Sequence, residues 1–326
     1  MSGFYVVTGA GPVGWTVAEQ LAERGERVRV LTRSGSGPDH PNIEKLKVDA
    51  SNPSPLTGAF DGAAAVFHCI HGSSYSAAAW GRELPAAEQA VLAEAGEAGA
   101  VVVFPESLYS YSNPERVMVE DSAREASGGK RGIRAALLRA REASATDTVS
   151  VVAGDFFGPR VRMANAGERM VPAVLARRPL QVVGNADQPH SFTYVPDLAA
   201  AMIGAAGLPG LWNRVLHAPT NPPLTQRQIA QAFATAAGVP PAKVRTVPGW
   251  VLRTLGLFSA DMREISEMLY QFERPFVMDS AASEQQLGLH PTPLDAAAKA
   301  TVEWWRSELA AGPGAGRAAT GIPAGT

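Results

Sequence analysis

Only one cysteine, Cys69, occurs in the 326 residues, so no disulfide can form within the chain, and a reducing compartment is the natural expectation. An excess of charge is missing too. The 29 Lys and Arg against 31 Asp and Glu leave a net charge of -2. No global basic field therefore argues for nucleic acid or an anionic membrane surface. No window reaches the ~18 apolar residues of a membrane span, and no basic stretch precedes an apolar one at the N-terminus. Cytoplasmic localisation is expected on these grounds. Aromatic residues are sparse at 7%, and no tyrosine falls between Tyr111 and Tyr194. No cluster of Cys, His and Asp has metal-ligand spacing, so no metal is expected. Residues 311–326 are rich in Gly, Ala and Pro without an apolar period and read as a disordered tail.

What is present begins at residue 3. Gly3 to Thr8 is an apolar, strand-forming run that leads straight into Gly9-Ala10-Gly11-Pro12-Val13-Gly14 and then into an amphipathic helical pattern. Strand, Gly-x-Gly-x-x-Gly and helix together are the context a dinucleotide-binding loop needs. Gly9 permits a tight turn, Gly11 lets backbone approach a pyrophosphate, and Gly14 lets helix pack closely on strand. Thr8 to Gly14 is accordingly assigned to the cofactor, with the first helical amides facing its phosphates. Arg27 to Thr32 reads as the second strand of a parallel β-α-β unit. An acid at its end would hold the ribose 2′-hydroxyl of NAD. Leu31-Thr32-Arg33-Ser34 has none, and Arg33 suits a 2′-phosphate, so NADP is favoured and NAD stays open.

Ile43 to Val48 reads as a third strand, after which Asp49 either meets the adenine or caps the next turn. Ala63 to Ile70 is a buried parallel strand that brings His68 and His71 near the cofactor. Ala77 to Ala98 is helical, with a break or kink at Pro85. Ala100 to Phe104 runs into a hydroxyl-rich strand end, Pro105 to Ser112. Lys130 to Ala143 reads as helix and Thr148 to Ala153 as strand. Beyond Val161, short extended pieces alternate with helices, among them one opened by Pro196, one capped by Thr225 and a closing helix over Leu294 to Leu309. Phe276 to Asp279 reads as a short strand. Trp250, Phe258, Met262, Met268, Tyr270 and Phe272 either line an apolar pocket or form core.

The chain resembles the extended and atypical short-chain dehydrogenases/reductases, the NAD-dependent epimerase/dehydratase family. Four stretches carry the resemblance: the glycine loop, Phe104 to Ser112, Asp155 to Arg160, and His190-Ser191-Phe192-Thr193-Tyr194-Val195-Pro196-Asp197. It implies an α/β fold, a Rossmann doubly wound parallel sheet with a smaller mixed α/β C-terminal substrate domain. The expected division is 1–160 for the dinucleotide, 161–310 mainly for substrate with segments returning to the sheet, and the tail. The family's chemistry uses a Tyr as acid or base, a Lys one helical turn later, and a Ser that orients the substrate oxygen. Ser107 falls at the Ser position. The Tyr-x-x-x-Lys match fails: the equivalent pair is Lys130 and Arg134. Arg134 suits ribose or phosphate oxygens. A lysine, with an ordinary pKa of ~10.4, is a poor base unless desolvated or set among cations such as Arg131 and Arg134. Tyr109, Tyr111 and Tyr75 are the substitutes, with Tyr111 better read as structural. The candidates are therefore Ser107, Lys130 and Tyr109. The glycine loop is also one residue shorter than the usual extended-family form. The resulting expectation is an NADP-dependent oxidoreductase acting on a small, partly apolar metabolite. Two alternatives stand: an epimerase, dehydratase or cyclase that retains its dinucleotide, and a non-catalytic dinucleotide sensor. The partner is a small molecule rather than nucleic acid or membrane, with a homodimer left open.

Overall fold

Gly9 turns the chain off the first strand, β1 (Phe4–Thr8), at a φ of +90° that its missing Cβ permits. In the computed structural model, which describes residues 3–52 and 56–312, this turn leads into α1 (Pro12–Glu23). Pro12 opens α1 where its missing amide costs nothing. Then follow β2 (Val28–Thr32), β3 (Ile43–Lys47), β4 (Ala63–His68), α2 (Ala77–Glu97), β5 (Val101–Ser107), α3 (Gly129–Glu142) and β6 (Thr148–Ala153). The second half contains β7 (Asp155–Phe157), α4 (Val171–Leu175), β8 (Leu180–Val183), β9 (Phe192–Tyr194), α5 (Val195–Ala206), β10 (Arg214–His217), α6 (Gln226–Ala237) and β11 (Val244–Val247). Helices α7 (Gly249–Leu255), α8 (Ala260–Glu267), α9 (Tyr270–Glu273), α10 (Ala281–Leu287) and α11 (Leu294–Ala310) close the described chain. The tail expected over 311–326 lies, past Gly312, outside the described residues.

Seven strands pair in parallel in the order β3-β2-β1-β4-β5-β6-β10. This is the doubly wound, Rossmann-like α/β sheet. The order reverses at β1 and β4, so the ligand crevice opens at their carboxyl ends. Alternation along the strands serves two layers. Val7, Val30, Phe67, Val101 and Val103 face a core with α1 and α5, while Val6, Leu31, Val66, Val102 and Phe104 face one with α2. A separate core gathers Phe157, Met170, Leu180, Phe192, Phe233 and Trp305 from the second half. Among the described residues no helix is long and apolar enough to cross a membrane.

Two local expectations are corrected. The helix does not break at Pro85: α2 runs from Ala77 to Glu97 without interruption. Burial of Trp80, Leu84, Ala87 and Val91 along one face offsets the lost hydrogen bond. Phe276 to Asp279 is not a strand. It makes only isolated bridges, His190 to Phe276 and Met118 to Met278, because it threads between two segments without a continuous partner.

Candidate active site

The glycine loop has the shape a dinucleotide needs. A Cβ on Gly9 would stand 3.0 Å from the Cys69 carbonyl oxygen, and one on Gly14 would run into the Gly9 carbonyl oxygen. A Cβ on Gly11 would meet nothing within 4 Å, so its face of the loop is open to a ligand. Val13 and Gly14 follow in the first turn of α1, where amides lack intrahelical acceptors. Directly beside the loop, the Thr8 hydroxyl lies 2.9 Å from His68 Nδ1, across the β1–β4 register. His68 is buried, and burial pulls its pKa down to about 4. Its Nε2 has no hydrogen-bond partner. At the outer end of the crevice, Arg33 is exposed just past β2, in a turn closed by Thr32 donating to the Ser36 carbonyl at 2.9 Å. Asp49 accepts from the Ser51 amide and hydroxyl at 3.1 and 2.6 Å, so it caps the following turn.

At the carboxyl end of β5 the hydroxyls converge. Ser107 donates from its amide to Glu106 Oε1 at 2.8 Å, and its hydroxyl lies 3.3 Å from the same oxygen. Tyr109, in a single 3₁₀ turn over Leu108–Ser110, stands 3.1 Å from Tyr75, hydroxyl to hydroxyl, and stacks on Trp80. Burial pushes the Tyr109 hydroxyl well above its ordinary pKa, helped by the Tyr75 and Asp155 charges. It therefore stays protonated at neutral pH. Tyr111 is fully buried, with its hydroxyl 2.5 Å from His217 Nε2, which is a structural role.

Lys130 sits fully buried near the start of α3 with its Nζ 4.9 Å from the centre of the Tyr75 ring. That ammonium is clamped by α8: it donates to the Glu264 carbonyl at 3.0 Å, to the Glu264 carboxylate and to Glu267 Oε2 at 2.7 Å. Two carboxylates thus offset its charge. Arg134, one turn on, lies over Trp80 and pairs with Glu106 at 3.5 Å rather than standing free for an anion. Arg131 donates to the Tyr111 carbonyl at 2.7 Å and covers Tyr270. Among the described residues no group of three side chains could hold a metal ion.

Residues 5–209 match the family described as NAD dependent epimerase/dehydratase. The chain belongs to that family. A search of curated proteins gives no significant match. Among solved structures, UDP-glucose 4-epimerase of Thermotoga maritima with UDP-glucose superimposes at a TM-score of 0.75 and 18% identity, over 94% of this chain and 99% of that one. The enzyme WbmH of Bordetella bronchiseptica in complex with NAD+ gives 0.72 at 19%, over 93% and 98%. A double mutant of dTDP-glucose 4,6-dehydratase (DesIV) from Streptomyces venezuelae gives 0.73 at 17%, over 94% and 98%.

Within the epimerase/dehydratase fold, some site features lay beyond sequence reading. Glu106 is buried in an ion network. Arg141 grips Glu88 with two bonds of 2.8 and 2.5 Å and reaches Glu106 at 2.9 Å. Nothing in the spacing of residues 88, 106 and 141 announces this. The aromatic set of the second half divides as well. Trp250 and Phe258 are exposed, Met268 is buried, and Tyr270 lies beside the hydroxyl cluster.

Proposed function

We propose that the protein is an NADP-dependent oxidoreductase that acts at a carbonyl or hydroxyl carbon of a small, partly apolar substrate. The observation that carries this is the Tyr109–Tyr75 hydroxyl pair just after Ser107, at the carboxyl end of β5 and on the same sheet edge as the open glycine loop after β1. The backbone of Thr8 to Gly14 would hold the pyrophosphate, with Arg33 on a 2′-phosphate, and His68 and Arg134 lining the inner crevice. Bound there, the nicotinamide dinucleotide supplies the hydride donor or acceptor. Tyr109 stays protonated and presents its hydroxyl to the substrate oxygen, which suits carbonyl reduction. Ser107 orients that oxygen. Lys130 holds Tyr75 in place through its charge on the ring, and Tyr75 in turn aims the Tyr109 hydroxyl.

A second reading has its own support. Family membership and the fold shared with a UDP-glucose epimerase and a dTDP-glucose dehydratase favour an enzyme that keeps its dinucleotide through the cycle. One experiment separates the two. Purified protein is mixed with NADPH or NADH and a panel of aldehydes and ketones, and separately with UDP-glucose and dTDP-glucose. Net loss of reduced-nicotinamide absorbance, abolished about 100-fold or more by Tyr109→Phe, is the expected result. Conversion of a nucleotide sugar without net absorbance change would establish the retained-cofactor reading instead. Cofactor choice is read independently by thermal shift. NADP is expected to protect at lower concentration than NAD, and Arg33→Ala to remove the difference.

A further inference from the structure

We propose that Asp155, His190 and Gln271 form a subsite that receives an amino group of the substrate. The inference names the polar head of the substrate, and it rests on the reading above for placing the substrate at this sheet edge. Pairing of β5 with β6 sets Ser107 opposite Ala153. Asp155 therefore follows two residues past the strand end that adjoins the hydroxyl-rich end of β5. The His190 Nδ1 lies 3.0 Å from the Gln271 carbonyl oxygen. A carbonyl oxygen only accepts, so Nδ1 carries a hydrogen, and Nε2 of the neutral ring is a bare acceptor. That Nε2 is 3.2 Å from Asp155 Oδ2, and the two atoms make no hydrogen bond to each other. Gln271 Oε1 and the Tyr270 hydroxyl are on the adjoining segment. Among the described residues, all four of these buried atoms lack a hydrogen-bond partner. The His190 ring is fixed in direction. It stacks on Phe272 at 5.1 Å and 9°, with Phe192 and Phe276 against it.

Distances tie this set to the hydroxyls. Phe276 lies 5.2 Å from the His190 ring and 5.9 Å from the Tyr270 ring. Arg131 in turn covers Tyr270 at 4.9 Å and donates from Nε to the Tyr109 carbonyl at 3.3 Å. Three of the four unpartnered atoms, on Asp155, His190 and Gln271, accept hydrogen bonds. Buried acceptors without a donor cost free energy, and a carboxylate costs the most. Among the described residues no Lys or Arg forms an ion pair with Asp155. Lys130 is spent on Glu264 and Glu267, and Arg131 on the Tyr109 and Tyr111 carbonyls. The group that fits must bring several hydrogens and a positive charge. A primary ammonium supplies three donors, one charge and no lone pair to oppose the acceptors. A hydroxyl brings one hydrogen and leaves the charge unmatched, while a carboxylate or phosphate adds repulsion. With the ammonium held here and its oxygen at the Tyr109–Tyr75 pair, the substrate class is an amino ketone or amino aldehyde, or the corresponding amino alcohol.

The test is calorimetry on the full-length protein with butylamine, benzylamine and phenethylamine, each beside its matching alcohol. At least one amine is expected to bind about tenfold more tightly than its alcohol, and Asp155→Asn to abolish that preference. Equal binding of amine and alcohol, no measurable binding of any amine, or a preference that survives Asp155→Asn overturns the proposal. A second measurement needs no variant. In protein labelled with ¹⁵N-histidine, the best-bound amine is expected to move the His190 Nε2 signal from that of a bare acceptor to that of a hydrogen-bonded one. A signal that does not move overturns the proposal even if Asp155→Asn fails to fold. Absence of turnover with the carbonyl panel counts against the oxidoreductase reading, while amine binding, read without turnover, still decides the subsite.

Discussion

His68 shows how burial sets the behaviour of a single residue in this site. Its pKa is lowered to about 4, chiefly by desolvation, so the folded state binds fewer protons than the unfolded chain below an ordinary histidine pKa of ~6.5. Its contribution to stability is therefore complete above pH ~6.5 and is lost as the pH falls from there to about 4. The drop amounts to about 3 kcal/mol over that window. Urea denaturation at several pH values measures it, and His68→Asn is expected to flatten that part of the curve. Arg141 is the second case. It is buried against Glu88 and Glu106, and the latter also accepts from Ser107. Arg141→Ala leaves two buried carboxylates short of their cation and should cost about 3–5 kcal/mol in the same denaturation experiment.

At the level of the element, the turn between β1 and α1 separates fold from function. Gly14→Ala would force a methyl into the Gly9 carbonyl oxygen, where strand and helix are in contact. Loss of both stability and cofactor affinity is expected. Gly11→Ala adds its methyl to open space, so the melting temperature of the cofactor-free protein should hold within about 2 °C, in keeping with a surface-like change. Dinucleotide affinity should nevertheless fall at least tenfold by calorimetry if, as proposed, the pyrophosphate approaches through that space.

Across the whole molecule, the second half is fastened to the sheet by charge as well as by packing. Glu264 and Glu267 of α8 hold Lys130, and Glu264 also accepts from the Ala77 amide at the start of α2 at 3.1 Å. Around this latch α7 and α8 bury little, and Trp250, Leu257 and Phe258 remain exposed. In a Glu264→Gln, Glu267→Gln double variant, residues 249–269 should become the fastest-exchanging helical segment by hydrogen exchange. Trypsin should then cut first at Arg253 or Arg263. Unchanged protection there would mean that apolar packing alone retains the segment.

The parallel sheet, its strand-turn-helix opening and most helix limits were legible in the sequence because they depend on local causes. Apolar periodicity, glycine at a positive φ and caps such as Thr225, which forms a full capping box, act within a few residues. The hydroxyl-rich end of β5 was legible for the same reason, with Ser107 and Tyr109 two residues apart. What those hydroxyls face depends on chain that is distant in sequence. Lys130 meets Glu264 and Glu267, Asp155 meets His190, and Arg141 meets Glu88 and Glu106. No period or spacing encodes such pairs. They exist because the sheet order and the β7–β9 pairing bring these distant side chains together and shield them from much of the solvent. Buried charges must then find partners in one another. By itself, therefore, the sequence determined a dinucleotide fold with a hydroxyl-lined strand end. Only the tertiary structure decided which charges are neutralised there.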